Sequence, residues 1–286
     1  MNDIDQLEAF DEFVGGHDAL FHYTRLATAI EKILAEKRLR LSLLKDTNDP
    51  REYQSKLLDM MGWSLPPEVE GMYNQCHTVL DRITRFECRV LCFCTNEKAR
   101  ILQKNGDSLE DPIPSTSGWA KSRMWSQYGE SQHGICLVFS RSLLQAEIEK
   151  YSASLSWIHG ALVEYTIEER MPFHSLNIDG NSLVKEGVET YCAMHVEQNM
   201  NDLFFTKHVD YRDESEFRLV VHDPTNAVEY VDISGSIRGI IAGDRTPEVY
   251  FPILKTFSRD LHVEARQARW DRGNSHLLLL RRREEA

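Results

Sequence analysis

The sequence predicts an α+β fold built on a mixed, mostly antiparallel sheet with flanking helices. Three observations lead there. About eight short apolar stretches read as strands, and six or seven helical patterns fall among them without regular strand–helix–strand alternation. The 286 residues, 42% hydrophobic and 27% charged, suffice for a substantial core and argue against disorder. No internal repeat occurs, and GxGxxG, Walker A, HExxH and GxSxG motifs are absent.

The chain opens acidic. Residues 1–18 hold six acids and neither Lys nor Arg, while Ile4, Leu7, Phe10 and Val14 recur at helical spacing. This predicts an amphipathic helix ended by Gly15-Gly16, ahead of one domain spanning residues 19–286. Leu20 to Tyr23 reads as a buried strand that places the His22 imidazole at its end. Thr24 is predicted to cap a helix over 25–36, whose Leu26, Ile30, Ile33 and Leu34 share a face. Leu39 to Leu43 reads as one strand.

In Asn48-Asp49-Pro50-Arg51-Glu52, Asp49 suits an N-cap, Pro50 the first helical position, and Glu52 completes a capping box. The same residues can instead line a site. Helices over 50–61 and 67–86 make a helical insertion of about 50–86. Cys88 to Thr95 reads as a strand with Cys88, Val90, Cys92 and Cys94 on one face. The spacing is not that of a zinc knuckle, so no metal is expected and the cysteines read as core. Residues 96–120 form a long polar loop.

Ser122 to Gly129 reads as a turn or two of helix, with Trp125 and Tyr128 on one face, either as core or as a stacking wall for a flat heterocycle. A strand at Ile135–Phe139, a helix over 141–150 and a strand over 159–166 follow. A long scaffold helix is predicted over 184–204, and Lys207 to Ser215 reads as a charged connection. Glu216 to His222 is a strand with Glu216, Arg218 and Val220 on one face. Strands over 227–232, 237–242 and 273–280, and a helix over 247–258, complete the chain.

The formal net charge of -12 disfavours broad salt-driven binding to nucleic acid or an anionic membrane. No apolar run approaches the roughly 20 residues that span a bilayer, and no signal peptide is recognisable, so a cytoplasmic location is expected.

Taken in order, these segments resemble the ADP-ribosyltransferase superfamily. The branch is the His-Tyr-Glu one, typified by diphtheria toxin and the poly(ADP-ribose) polymerases. They are more closely similar to a bacterial family of unknown function placed there, marked by HYT, NDPxE, MWxxY before a Gly and a strand, ExExR, and a late apolar strand ending in Gly. The matches are His22–Thr24, Asn48–Glu52, Met124–Tyr128 with Gly134, Glu214–Arg218 and Ile240–Gly243.

The resemblance implies a split, mostly antiparallel sheet, NAD as substrate, and cleavage of the nicotinamide–ribose bond through an oxocarbenium-like state. It implies transfer of ADP-ribose to a macromolecular acceptor, and the acidic composition favours protein over nucleic acid as that acceptor. Folds of this kind serve as bacterial toxins and antiviral defence effectors. Glu216, His22 and Tyr128 would be the catalytic set. Glu216 would stabilise the developing charge, His22 would hold the adenosine-side ribose and Tyr128 would stack on nicotinamide, with Trp125 as the second choice. Tyr23, Thr24, Asn48 and Arg218 would contact the dinucleotide. Arg218 would bind pyrophosphate or pair with Glu214 or Asp213. Glu214, with Asp49 and Glu52, would serve the acceptor side, Glu214 on a backward extension of the Glu216 strand. The sequence departs from the toxin branch in lacking a second tyrosine about ten residues after Tyr128, and Tyr23 stands where a small residue is usual. NAD hydrolysis and a catalytically silent binding fold are the alternative implications.

Overall fold

Strand β1 (Ala19–Thr24) lies inside a nine-stranded sheet, flanked by strands on both edges. The computed structural model describes residues 3–47, 49, 52, 59–60, 67–102, 107–111, 117–167 and 177–280. The other strands of the sheet are β2 (Ser42–Leu43), β3 (Cys88–Cys94), β4 (Ile135–Ser140), β5 (Trp157–Leu162), β6 (Glu216–His222), β7 (Ile237–Ala242), β8 (Glu264–Asp271) and β9 (Asn274–Leu279). Their order is β9-β8-β7-β4-β1-β3-β6-β5, with β2 also on β3. Only β7 and β8 run parallel; the other pairs in this sheet are antiparallel. The fold is α+β, as predicted.

Alternation along the strands sorts the core. Leu20, Leu91, Leu137, Phe139, Phe217 and Leu219 share one face. Against it pack Leu26 and Leu34 from α2 (Leu26–Thr28) and its π-helical continuation (Ala29–Leu34), together with Leu144 of the helix Arg141–Glu149 and Leu254 of the helix Phe251–Leu261. The opposite face carries two separate clusters. Over β3 and β6, Val90 and Val220 meet Leu80 of α3 (Pro67–Asp81) and Val196 of α7 (Val188–Gln198). Over β1 and β4, Phe21, Tyr23 and Val138 meet Trp119, Trp125 and Val14 of α1 (Asp3–Gly15). A charged cleft separates these two apolar clusters.

Several elements differ from expectation. Thr24 does not cap the next helix: it is the last residue of β1, paired with Ile135, and the Leu26 N–H is met instead by Glu130 Oε2 at 3.1 Å. The stretch 38–43 divides into Arg38–Arg40 and β2, because Arg38–Arg40 pairs with Tyr230–Asp232 away from the main sheet. Asp59–Met60 is a strand pair with Asn177–Ile178 rather than helix. The loop over 96–120 contains the short strands Arg100–Leu102 and Ser108–Glu110. The scaffold helix breaks into α6 (Gly180–Glu186), α7 and α8 (Met200–Phe204), the first break falling at Gly187 with φ +76°. α5 (Arg141–Glu149) and α9 (Phe251–Leu261) match the predicted helices. β8 carries no apolar alternation that marks a strand in the sequence, because Arg266, Gln267 and Arg269 are mixed into it.

The short helix α4 (Ser122–Gln127) leads into a turn, Glu130–Gln132, whose residues take positive φ values of 53°, 52° and 73°. Gly134 lets this turn lie against β1. A Cβ there would stand 2.3 Å from the Thr24 carbonyl oxygen and 2.9 Å from the Gly129 backbone, neither of which can yield cheaply. Gly134→Ala is expected to cost about 1–3 kcal/mol, read as a lower denaturant midpoint at unchanged slope. No helix among the described residues is long and apolar enough to cross a membrane.

Candidate functional site

β3 has two neighbours along one edge. Near its end β1 joins it through one registered pair, Phe21 with Cys94. Toward its start Ser42 and Leu43 pair with Val90 and Arg89. Between them the ladder is open from Leu91 to Phe93, and β1 and β3 part. His22 occupies the gap: its Nδ1–H donates to the Cys92 carbonyl at 3.3 Å, and its ring lies 5.7 Å from that of Phe93. Burial lowers the His22 pKa from its ordinary value, and the Cys92 carbonyl offsets this only in part. The imidazole is therefore neutral at pH 7, with Nε2 as its acceptor nitrogen.

A cavity of about 210 Å³ opens at this seam. His22, Tyr23 and Cys92 border it from the two strands, Asp49 and Glu52 from the segment after β2, and Tyr128 from the turn after α4. The floor is the stretch from Lys207 to Arg218. Glu216 faces Cys94 and Arg218 faces Cys92 across the β6–β3 ladder. The small thiols leave room for the two long side chains opposite them.

These side chains form a chain of alternating charge. Arg218 Nε donates to Glu216 Oε1 at 2.5 Å, its Nη2 to Glu52 Oε1 at 2.5 Å, and its Nη1 to the Phe204 carbonyl at 2.8 Å. Lys207 Nζ stands 2.6 Å from Glu216 Oε2 and 2.8 Å from Glu214 Oε2. The Tyr128 hydroxyl donates to Glu214 Oε1 at 3.3 Å. All five charged residues are buried. The Glu216 N–H donates to the Tyr165 hydroxyl at 3.0 Å, which fixes where β6 begins.

The two cleft glutamates differ in ionisation. Burial opposes the Glu216 carboxylate, but Arg218 and Lys207 outweigh it and hold its pKa well below the usual range. Burial raises the Glu214 pKa, Lys207 pulls it down, and the Glu216 charge pushes it up again, leaving it raised. Burial also pushes the Cys92 and Cys94 thiols up, Cys94 to about 12, so Cys92 donates a neutral S–H to Glu216.

A family profile described as Protein of unknown function (DUF2971) matches residues 124–219. No curated protein and no solved structure matches the chain. The matched segment runs from α4 through most of β6. It contains Tyr128, Lys207, Glu214, Glu216 and Arg218, and it excludes His22 and Glu52.

Of the residues singled out from sequence, the cleft brings together His22, Tyr23, Asp49, Glu52, Tyr128, Glu214, Glu216 and Arg218. By strand alternation His22 and Glu216 lie on opposite faces of the sheet; both reach the cleft because β1 and β3 part between them. Trp125 is not at the site. It is fully buried, donates from Nε1 to the Trp119 carbonyl at 2.7 Å, and packs edge-on against Tyr23. Thr24 does not border the cleft either. Tyr23 does, but its hydroxyl is committed to the Gly118 carbonyl at 2.6 Å. Arg218 pairs with Glu216 and Glu52 rather than with Glu214 or Asp213, and these bonds consume most of its donors. Asp213 is 3.5 Å from Arg123 instead. Glu214 is not on the strand: it ends a 3₁₀ turn, and Ser215, at φ 41°, turns the chain into β6. Asn48 lies outside the described residues. Lys207 was missed because a lysine in a polar stretch reads as solvated; the short strand Thr206–His208 beside Glu164–Thr166 buries it.

Proposed function

We propose that this cleft cleaves the N-glycosidic bond of NAD and passes the ADP-ribosyl group to an acceptor on a macromolecule. The observation that carries the reading is the parting of β1 from β3. It lets a histidine, a tyrosine and two carboxyl groups of unequal acidity border one cavity. An oxocarbenium-like state needs a group that is negative before the bond breaks. Glu216, kept ionised by Arg218 and Lys207, suits that role. The incoming nucleophile needs a proton acceptor near the operating pH, and Glu214, with its raised pKa, suits that one. His22, neutral and with Nε2 as acceptor, suits a ribose hydroxyl, and Tyr128 presents a ring beside Glu214. Arg218 is assigned to holding Glu216, not to pyrophosphate.

Hydrolysis, with water as acceptor, is the second reading. Its support is that Glu214 and Glu216 are each only 3% exposed, which suits a small nucleophile better than a protein side chain. The test is incubation of the purified protein with labelled NAD and cell lysate. Nicotinamide release together with a labelled macromolecule is the expected result. Free ADP-ribose alone selects hydrolysis. Calorimetric NAD binding without turnover assigns the chain to a silent nucleotide-binding fold, and no binding at all overturns the proposal.

A further inference from the structure

Lys207 has no part in the scheme above beyond its charge, yet its position is specific. Its Nζ touches both cleft carboxylates, 2.6 Å from Glu216 Oε2 and 2.8 Å from Glu214 Oε2. The two carboxyl groups also face each other closely enough to share a hydrogen bond. They arrive from different local structures, Glu216 from a strand and Glu214 from the end of a 3₁₀ turn, with left-handed Ser215 between them. The backbone between them is pinned by Thr95, whose N–H and hydroxyl donate to the Ser215 carbonyl, and the ammonium ion bridges the two side chains that this turn brings together.

We infer that Lys207 is the positioning residue of the cleft: held between Glu214 and Glu216, it clamps the two carboxyl groups side by side and offsets their mutual repulsion, while Arg218 sets them apart by touching Glu216 and not Glu214. That this serves the reaction rests on the reading of these glutamates as the working pair. The surroundings leave Lys207 well suited to the task. From β6, Arg218 secures the other side of Glu216, and Glu52 lies beyond it. From β3, Cys92 donates to Glu216 and Cys94 lies behind the pair as a neutral thiol. Tyr165, from the neighbouring short strand, is fixed by the Glu216 N–H. Around Glu214, Tyr128 donates to one oxygen, and Lys121, bound to the Asp213 carbonyl, stands near. The Tyr211 ring lies 5.2 Å from Lys207 Nζ. Of the two cations nearest the pair, Arg218 serves Glu216 alone. Without Lys207, the carboxylates lose the one cation that touches both, and two like charges in a buried site then take up a proton more readily, on Glu214, because Arg218 still holds Glu216.

The test needs no substrate. Carboxyl-carbon NMR of the whole chain with labelled glutamate follows Glu214 and Glu216 in wild type, Lys207→Met and Lys207→Arg. In wild type, two separate steps are expected, the Glu216 step lying below the ordinary carboxyl range. In Lys207→Met the pair is expected to bind its first proton about tenfold or more tightly, the Glu214 step moving up. Lys207→Arg restores the wild-type step. Titration of the two groups in wild type with no coupling between them overturns the inference even if Lys207→Met fails to fold, and so does a pattern unchanged in a folded Lys207→Met. Nicotinamide release is followed beside it. Its absence from wild type removes the NAD reading and leaves the assignment of Lys207 standing. Its presence is expected with a kcat pH profile whose step for Glu214 moves to higher pH in Lys207→Met.

Discussion

Glu216→Gln is expected to lower nicotinamide release by about 10²–10³-fold, the usual consequence of removing one preorganised group that meets developing charge. The substitution keeps the shape of the side chain and one acceptor oxygen, so the loss is electrostatic. Because Glu216 also binds Arg218 and Lys207, the activity is read together with cooperative unfolding by denaturant. Lost turnover in a variant that still unfolds cooperatively supports the carboxylate's role. Turnover at the wild-type rate removes Glu216 from the mechanism.

Arg218→Met is expected to destabilise the fold by about 3–5 kcal/mol, because it strands a buried carboxylate at each end of the missing guanidinium. Glu52 loses its partner at 2.5 Å, and Glu216 keeps only Lys207. The variant also changes the pH dependence. In wild type the Glu216 pKa is depressed on folding, so its contribution to stability is present above its unfolded value, about 4.3, and is lost as pH falls toward the folded value. Glu214, whose folded pKa is raised, has the opposite sign: its contribution is present in acid and is lost as pH rises through the folded value. In the difference between the two proteins the Glu214 contribution largely cancels. The destabilisation by Arg218→Met is therefore expected to be largest near neutrality and to shrink in acid. A loss that stays constant with pH would show that packing, not charge, is what Arg218 supplies.

Much of this fold is legible in the sequence because its core strands obey simple alternation. Leu20 to Tyr23, Ile135 to Phe139 and Glu216 to His222 combine β-forming residues with flanking turns, and each is a strand in the structure. The site was legible where polar residues interrupt such strands, as His22, Glu216 and Arg218 do. It was obscure where tertiary contacts decide. Trp125 and Tyr128 share a helical face on paper, but α4 ends at Gln127, so one ring turns into the core and the other to the cleft. Lys207 becomes a buried residue only through a parallel strand pair made with Glu164–Thr166. Cys92 and Cys94 looked like plain core, and their smallness gains meaning only from the register that sets Arg218 and Glu216 opposite them.

The seam between β1 and β3 has a mechanical consequence. Among the described residues, one registered backbone pair, Phe21 with Cys94, joins the β9-β8-β7-β4-β1 block to the β3-β6-β5 block. Beneath the seam one continuous core, with Leu20 and Phe139 against Phe93 and Phe217, binds the two blocks, so packing rather than backbone pairing carries the load where the strands part. His22 stands in that gap, its Nδ1–H on the Cys92 carbonyl. The histidine is a wedge as much as a contact, and its bulk holds open the space that its chemistry would serve.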